Sequence, residues 1–272
     1  MRAAASLVAL SLLAAGASSA CSDRSAPSRA AASAGPLARR APNAVPEITV
    51  ARLPKGSAIT IDGALDEPAW KGAASTGSFV NVGTGRADAR MPVHGEARLL
   101  FDDDFLYVGF EVKEAKIHGG FPKDAADPHL WEKDTVEVMT DPDGDGDNKD
   151  YYEIQINPQN LVFDSQFDDY NKPRGGPAGP FGHQDWSAKL TSAVKVHGTL
   201  DDDADVDQGY TVEAKIPWSS FSKAKRSPPA DGDAWRMNFY AMKDNGGAAW
   251  SPILGQGNFH KASRFGRVHW GK

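Results

Sequence analysis

Residues 131–157 read WEKDTVEVMTDPDGDGDNKDYYEIQIN. Two short runs that alternate apolar and polar residues, TVEVMT and YYEIQI, flank a loop with aspartate at nearly every second position. Period-two alternation on both sides of a Gly- and Asp-rich tip predicts an antiparallel hairpin. In the first arm Val136 and Val138 share one face and Glu137 takes the other. In the second, Tyr152, Ile154 and Ile156 oppose Glu153, Gln155 and Asn157.

The same grammar runs along the chain. ITVARL (48–53), AITI (58–61), EARLLF and FLYVGFEV either side of DDD (96–112), LVFDSQF, SAVKVHGTL, GYTVEAKIPW, WRMNFYAM and FGRVHW all read as strands. In WRMNFYAM, Met237, Phe239 and Ala241 share the inner face, leaving Arg236, Asn238 and Tyr240 outside. Helical periodicity is confined to single turns at ALDEPAW (64–70) and PWSSF (217–221). Many short antiparallel strands with Gly, Pro, Asp and Asn in the gaps predict an all-β fold, an antiparallel β-sandwich of jelly-roll-like type, as a single domain over 48–272. Trp70 and Trp218 are assigned to packing, and Trp235 and Trp270 are left open between packing and binding.

Ahead of this domain stands MRAAASLVALSLLAAGASSAC. One arginine, an uncharged Ala/Leu/Val run and small residues before position 21 predict a signal peptide over 1–20. The single cysteine, Cys21, stands directly behind it, where a bacterial lipoprotein carries its lipid; an exported protein with an incidental thiol is the alternative. Residues 21–47, rich in Ala, Pro, Ser and Arg, read as a disordered tether. Export, as an outer-membrane lipoprotein or to the periplasm or exterior, follows, with contact to a membrane only through the N-terminal lipid. One cysteine forms no intrachain disulfide. A formal net charge of −6 without a basic stripe in the domain argues against nucleic acid as a partner.

IDGALDEPAW (61–70), DDDFLYVGFEV (102–112), the 131–160 segment, GTLDDDADVDQGYTVEAKIPW (198–218), WRMNF (235–239) and WSPILGQGNFHKASRFGRVHW (250–270) together resemble the family 9 carbohydrate-binding modules. The resemblance implies a non-catalytic β-sandwich, expected as a monomer, that holds an oligosaccharide or polysaccharide chain end between two tryptophans in support of polysaccharide breakdown. It implies Trp131, six residues before Glu137, as one platform with its hydroxyl-binding carboxylate. It implies Trp250 as the second platform and Arg236 as a further contact; Asn157 joins them on parity with Glu137. Indole faces suit the C–H faces of a pyranose, and charged or amide groups suit its hydroxyl rim.

The tip DPDGDGDNKD offers Asp141, Asp143, Asp145 and Asp147 as oxygen ligands for calcium, which takes six to eight of them. The loop begins like an EF-hand but has Tyr152 at its twelfth position and no flanking helix, so a non-EF calcium loop and a solvated hairpin tip remain the two readings. A second acidic run, DDDADVD (201–207), is a weaker candidate. Structural calcium in the resembled family favours the first. Scattered histidines and the absence of HExxH or GxSxG leave glycoside hydrolysis by a carboxylate pair as an alternative function. A haem-binding sandwich of the DOMON type, with Met139 or Met242 facing outward, is another.

Overall fold

The computed structural model describes residues 44–172 and 176–271. The expected signal peptide, Cys21 and the tether up to residue 43 lie outside the described residues. No helix among those described is long and apolar enough to cross a membrane.

The chain is a β-sandwich. One sheet runs β1 (Glu47–Val50), β13 (Gly266–Trp270), β11 (Ala234–Lys243), β6 (Thr135–Asp141), β7 (Lys149–Ile156) and β8 (Val162–Asp169). Two short strands extend it beside the second half of β11: β12 (Gly246–Ala249), which pairs β11, and β3 (Val80–Asn81), which pairs β12. The other sheet runs β2 (Ala74–Ser75), β4 (Val93–Phe101), β5 (Phe105–Glu114), β10 (Gly209–Pro217) and β9 (Thr191–His197). Pairing between these strands is antiparallel except for β1 beside β13, which is parallel.

Strand parity is as the sequence predicts. Val136, Val138, Tyr152, Ile154, Ile156, Met237, Phe239 and Ala241 all point between the sheets, against Leu99, Val108, Phe110, Val112 and Val212. The core ends in an edge-to-face cluster in which Trp218 lies 5.7 Å from Trp235 and 5.4 Å from Trp270. This geometry favours the ring quadrupoles while filling volume, and it settles Trp235 and Trp270 as core residues. The run at 58–61 is no strand, because it is spent as covering chain: Ile59 and Ile61 pack with Leu53, Leu65 and Trp70 on the outer face of the second sheet. Strands β2, β3 and β12 escape sequence reading because two to four residues carry no periodicity.

That outer cover is tied down by one carboxylate. Glu213 is fully buried on β10. It accepts hydrogen bonds from the Asp62 amide (2.9 Å), the Gly63 amide (2.8 Å) and the Trp70 indole N–H (2.8 Å). Gly63 has a positive φ of 87°, and an added Cβ would lie 2.9 Å from the Lys195 backbone, so only glycine lets the turn sit this close to β9. Thus the IDGALDEPAW segment is a clamp whose receptor is 143 residues from its tryptophan. Glu213→Ala strands two buried donors and a part-buried one and is expected to lower unfolding stability by about 2–4 kcal/mol, with Glu213→Gln intermediate, read by urea denaturation.

Candidate functional site

The outer face of the first sheet carries its own cluster: Met139, Tyr151, Phe167, Tyr240, Met242, Ala249, Ala262 and Phe265, with Trp131, Tyr170 and Phe259 packed on it. Three loops rise from this face and leave a cleft of about 240 Å³ between them. Its walls are Trp131, Phe181, Tyr170 and Phe259, and its floor is Glu137, Glu153 and Gln155, with His260 to one side.

Each wall is held by identifiable bonds. The Trp131 carbonyl accepts from the Asn245 amide (2.9 Å). Three residues on, Asp134 is gripped by the Lys243 ammonium at 2.9 and 3.1 Å. The same Nζ reaches Glu114 Oε1 at 3.1 Å and the Lys116 carbonyl at 2.7 Å, joining the two sheets below the loop. Burial first, and Asp134 next, push Glu114 up to about 9. The Trp131 indole stacks on His129 (4.5 Å, 19°) and meets Phe163 edge-on at 5.2 Å. The second wall is pinned where the Ser165 hydroxyl donates to the Phe181 carbonyl. The third leaves β12 through a reciprocal pair: Asn238 Nδ2 donates to the Ser251 carbonyl (2.8 Å) and the Ser251 amide donates to Asn238 Oδ1 (2.9 Å). It is caught again by the Tyr240 hydroxyl donating to the Phe259 carbonyl (3.0 Å).

The floor follows from register. Glu137 is paired with Gln155 on β7 and with Tyr240 on β11, and Glu153 stands one outward position along from Gln155. Both carboxylates are almost fully buried. Gln155 Nε2 donates to Glu153 Oε1 at 2.7 Å. Glu137 Oε1 and Gln155 Oε1 have no hydrogen-bond partner. Burial, and then the neighbouring Glu153, push the Glu137 carboxyl well above its ordinary range, and burial lifts Glu153 to about 8. His260 Nε2 lies 3.8 Å from Glu153 Oε2 and its Nδ1 is bonded to the Tyr151 hydroxyl at 2.7 Å. Burial holds this imidazole down to about 3, so it is neutral at physiological pH.

The predicted site residues separate. Trp131 and Glu137 line the cleft together. Trp250 does not: it is 7 % exposed within the sandwich core, 5.7 Å from Phe239. Gly266 makes room for it, since a Cβ there would lie 2.3 Å from the indole. The expectation of Trp250 as second platform is therefore corrected; Ala249 faces the outer cluster, so parity sends its neighbour inward, and Phe259 is the ring of that segment that lines the cleft. Arg236 is also corrected. Its guanidinium donates to the Gly144 carbonyl at 3.1 Å and reaches the Ser263 and Phe265 carbonyls, bracing the aspartate tip rather than facing the cleft. Asn157 is spent on a turn, its Oδ1 accepting from the amides of Gln159 and Leu161.

At the tip, Asp141, Asp143 and Asp145 bring ligand oxygens within 4.8 Å of one another. Burial, with Asp143 alongside, lifts Asp141 to about 7, although the Gly146 and Gly144 amides donate to it. A cation would relieve that crowding, so the three fit calcium chemically. Asp147 falls outside the group because its carboxylate pairs with Lys149 at 2.6 Å. In the second acidic run, Asp207 is occupied by the amides of Ile117 and Thr199. Met139 and Met242, the candidate haem ligands, face outward but are buried under the loops. The cleft is smaller than the ~300–1,000 Å³ usual for drug-sized ligands, a scale for sugar rings and not for a macrocycle.

A small aromatic-walled cleft with convergent polar groups defines a small-ligand binding domain. The family model described as carbohydrate family 9 binding domain-like matches residues 61–270, and the chain belongs to that family. The fold is similar to a family 9 carbohydrate-binding module from Caldicellulosiruptor kristjanssonii solved with cellotriose. The identity is 18 %, covering 83 % of this chain and 93 % of that one, with a TM-score of 0.54. The glucose complex of a family 9 module from the same organism gives 18 %, 83 %, 96 % and 0.52. A Bacteroides uniformis ATCC 8492 protein named as a carbohydrate-binding candidate gives 19 %, 84 %, 100 % and 0.62. No curated protein sequence matches the chain.

Glu153 holds its proton in the native state up to about pH 8, whereas an unfolded glutamate releases it near about 4.3. Between those values the native state binds more protons, so stability falls as pH rises through the window. Glu153→Gln is expected to make the decline shallower, measured by urea unfolding at stepped pH.

Proposed function

We propose that this protein is a non-catalytic carbohydrate-binding module that takes a sugar into the cleft of Trp131, Glu137 and Phe259. The observation that carries the reading is the pairing of a half-buried indole with a buried carboxylate whose Oε1 lacks a partner, inside a family 9 domain. A pyranose face packs on Trp131 and its hydroxyls donate to Glu137, Glu153 and the Gln155 carbonyl oxygen. The modules solved with cellotriose and glucose support a neutral glycan as the first ligand to try. Hydrolysis is disfavoured by placement: Glu137 and Glu153 project side by side from one sheet face, whereas glycosidase carboxyls flank the scissile bond. The leader and Cys21 support an exported, lipid-tethered location serving polysaccharide capture, for which palmitate incorporation is the readout.

Titration calorimetry of residues 44–272 with cello-, xylo- and manno-oligosaccharides tests the reading. Binding by at least one is expected, and Trp131→Ala is expected to weaken it by about 2 kcal/mol, roughly thirtyfold in Kd. Trp250→Phe, a core change, is expected to alter stability and leave affinity in place. Flat titrations across the panel would overturn the proposal.

Calcium held by Asp141, Asp143 and Asp145, without Asp147, completes the reading as a structural ion that tightens the β6–β7 tip. Calcium at about 100 times its Kd adds about 2.7 kcal/mol to stability. A higher melting temperature in calcium than in EDTA is expected, and Asp141→Asn is expected to remove the difference.

A further inference from the structure

Two buried acid pairs exist among the described residues, and they are finished differently. Glu114 and Asp134 share one ammonium, Lys243 Nζ, at 2.9–3.1 Å. Glu137 and Glu153, equally buried, have no such cation: the described lining of the cleft holds no lysine or arginine. Its one histidine has its Nε2 3.8 Å from Glu153, and burial keeps it neutral. Gln155 gives one amide bond to Glu153, and Glu137 Oε1 receives none. Above this pair stand the rings of Trp131, Tyr170, Phe181 and Phe259. Buried carboxylates that face aromatic rings across a cleft complement a cation, through ion pairing below and ring quadrupoles around it.

We propose that the sugar taken by this cleft carries a protonated amine, a 2-amino-2-deoxy hexose such as a glucosamine unit, whose ammonium pairs with Glu137 and Glu153 as Lys243 pairs with Glu114 and Asp134. The proposal rests on the carbohydrate-binding reading of the same cleft and narrows its ligand class. A neutral hydroxyl donates a single hydrogen and gives the two acids no reason to ionise in a desolvated floor; an ammonium supplies three donors and the positive charge that stabilises them once ionised. The other titratable groups around the floor are His260, Tyr151, Tyr170 and Tyr240. Burial holds Tyr151 and Tyr240 well above the ordinary phenol range, so neither supplies a charge of its own. The carboxyls hold protons in the empty cleft at neutral pH, so seating an ammonium releases protons to the solvent.

The test is calorimetry of the whole domain with glucosamine oligomers, their N-acetylated counterparts and cello-oligomers of equal length, each in two buffers of different ionisation heat. Glucosamine oligomers are expected to bind about tenfold or more tighter than the other two, with proton release visible as a buffer-dependent enthalpy. Glu153→Gln, a near-isosteric change, is expected to abolish both the preference and the proton release. Cello-oligomers or N-acetylated oligomers binding as tightly as glucosamine oligomers would overturn the amine while leaving the sugar site standing. Absence of binding by every oligosaccharide would overturn both.

Discussion

The geometry of the cleft depends on the register of three strands. β6 pairs with β7 and with β11 so that Glu137 has Gln155 on one side and Tyr240 on the other. Because side chains alternate with period two, the register that sends Val136, Val138, Ile154 and Phe239 into the core sends this polar set to the opposite face. A slip of one residue would bury Glu137 among the core aliphatics and put valines in the cleft, at a cost far above the few kcal/mol by which domains are stable. Core burial therefore selects the site's geometry as a by-product, and the site needs no special local propensity.

The outer face of the first sheet is unusual in being covered twice over: by its own apolar cluster and by loops that stand on it. Those loops carry the aromatic walls, and each is moored by side-chain-to-backbone bonds, from Asn238 to Ser251, from Tyr240 to Phe259 and from Ser165 to Phe181. Such bonds fix a loop without giving it secondary structure, which is how a cleft walled by irregular chain keeps its shape. The Lys243 clamp does the same for Trp131 from below, joining β11, the end of β5 and the segment before β6 in one buried network. The aspartate tip lies at the other end of the hairpin, braced by Arg236, and its crowded acids are separate in space and chemistry from the two in the cleft.

Several cleft residues were legible early and others were not. Trp131 and Glu137, which line the cleft together, were named from the sequence because a strand fixes the direction of Glu137 and the family resemblance supplied the tryptophan. Glu153 and Gln155 were placed on the same face by parity, although nothing local marked them as cleft residues. Phe181, Phe259 and His260 gave no signal, since they sit in loops where neither period nor capping constrains direction. Trp250 misled for a related reason. The family resemblance suggested a platform, but the strand that precedes it ends with Ala249 facing out, and the indole turns in to meet Gly266 and Phe239. Arg236 was correctly placed outside the core, yet its guanidinium found carbonyls on the adjacent tip before it could reach the cleft.

The sequence by itself determined the all-β class, the inner and outer faces of β6, β7 and β11, the family, and the acids that crowd the hairpin tip. These are local matters: alternation, turn residues and motif order act over a few positions, and burial enforces them. Only the tertiary structure decided which outer face became a cleft, which aromatic residues wall it, that Glu213 anchors a segment 143 positions away, and that one buried acid pair has its ammonium while the other faces a cavity. Those outcomes depend on where loops land on a sheet assembled from distant strands. The competing hydrogen-bond partners that settle each landing are far apart in the chain, so no window of sequence contains them.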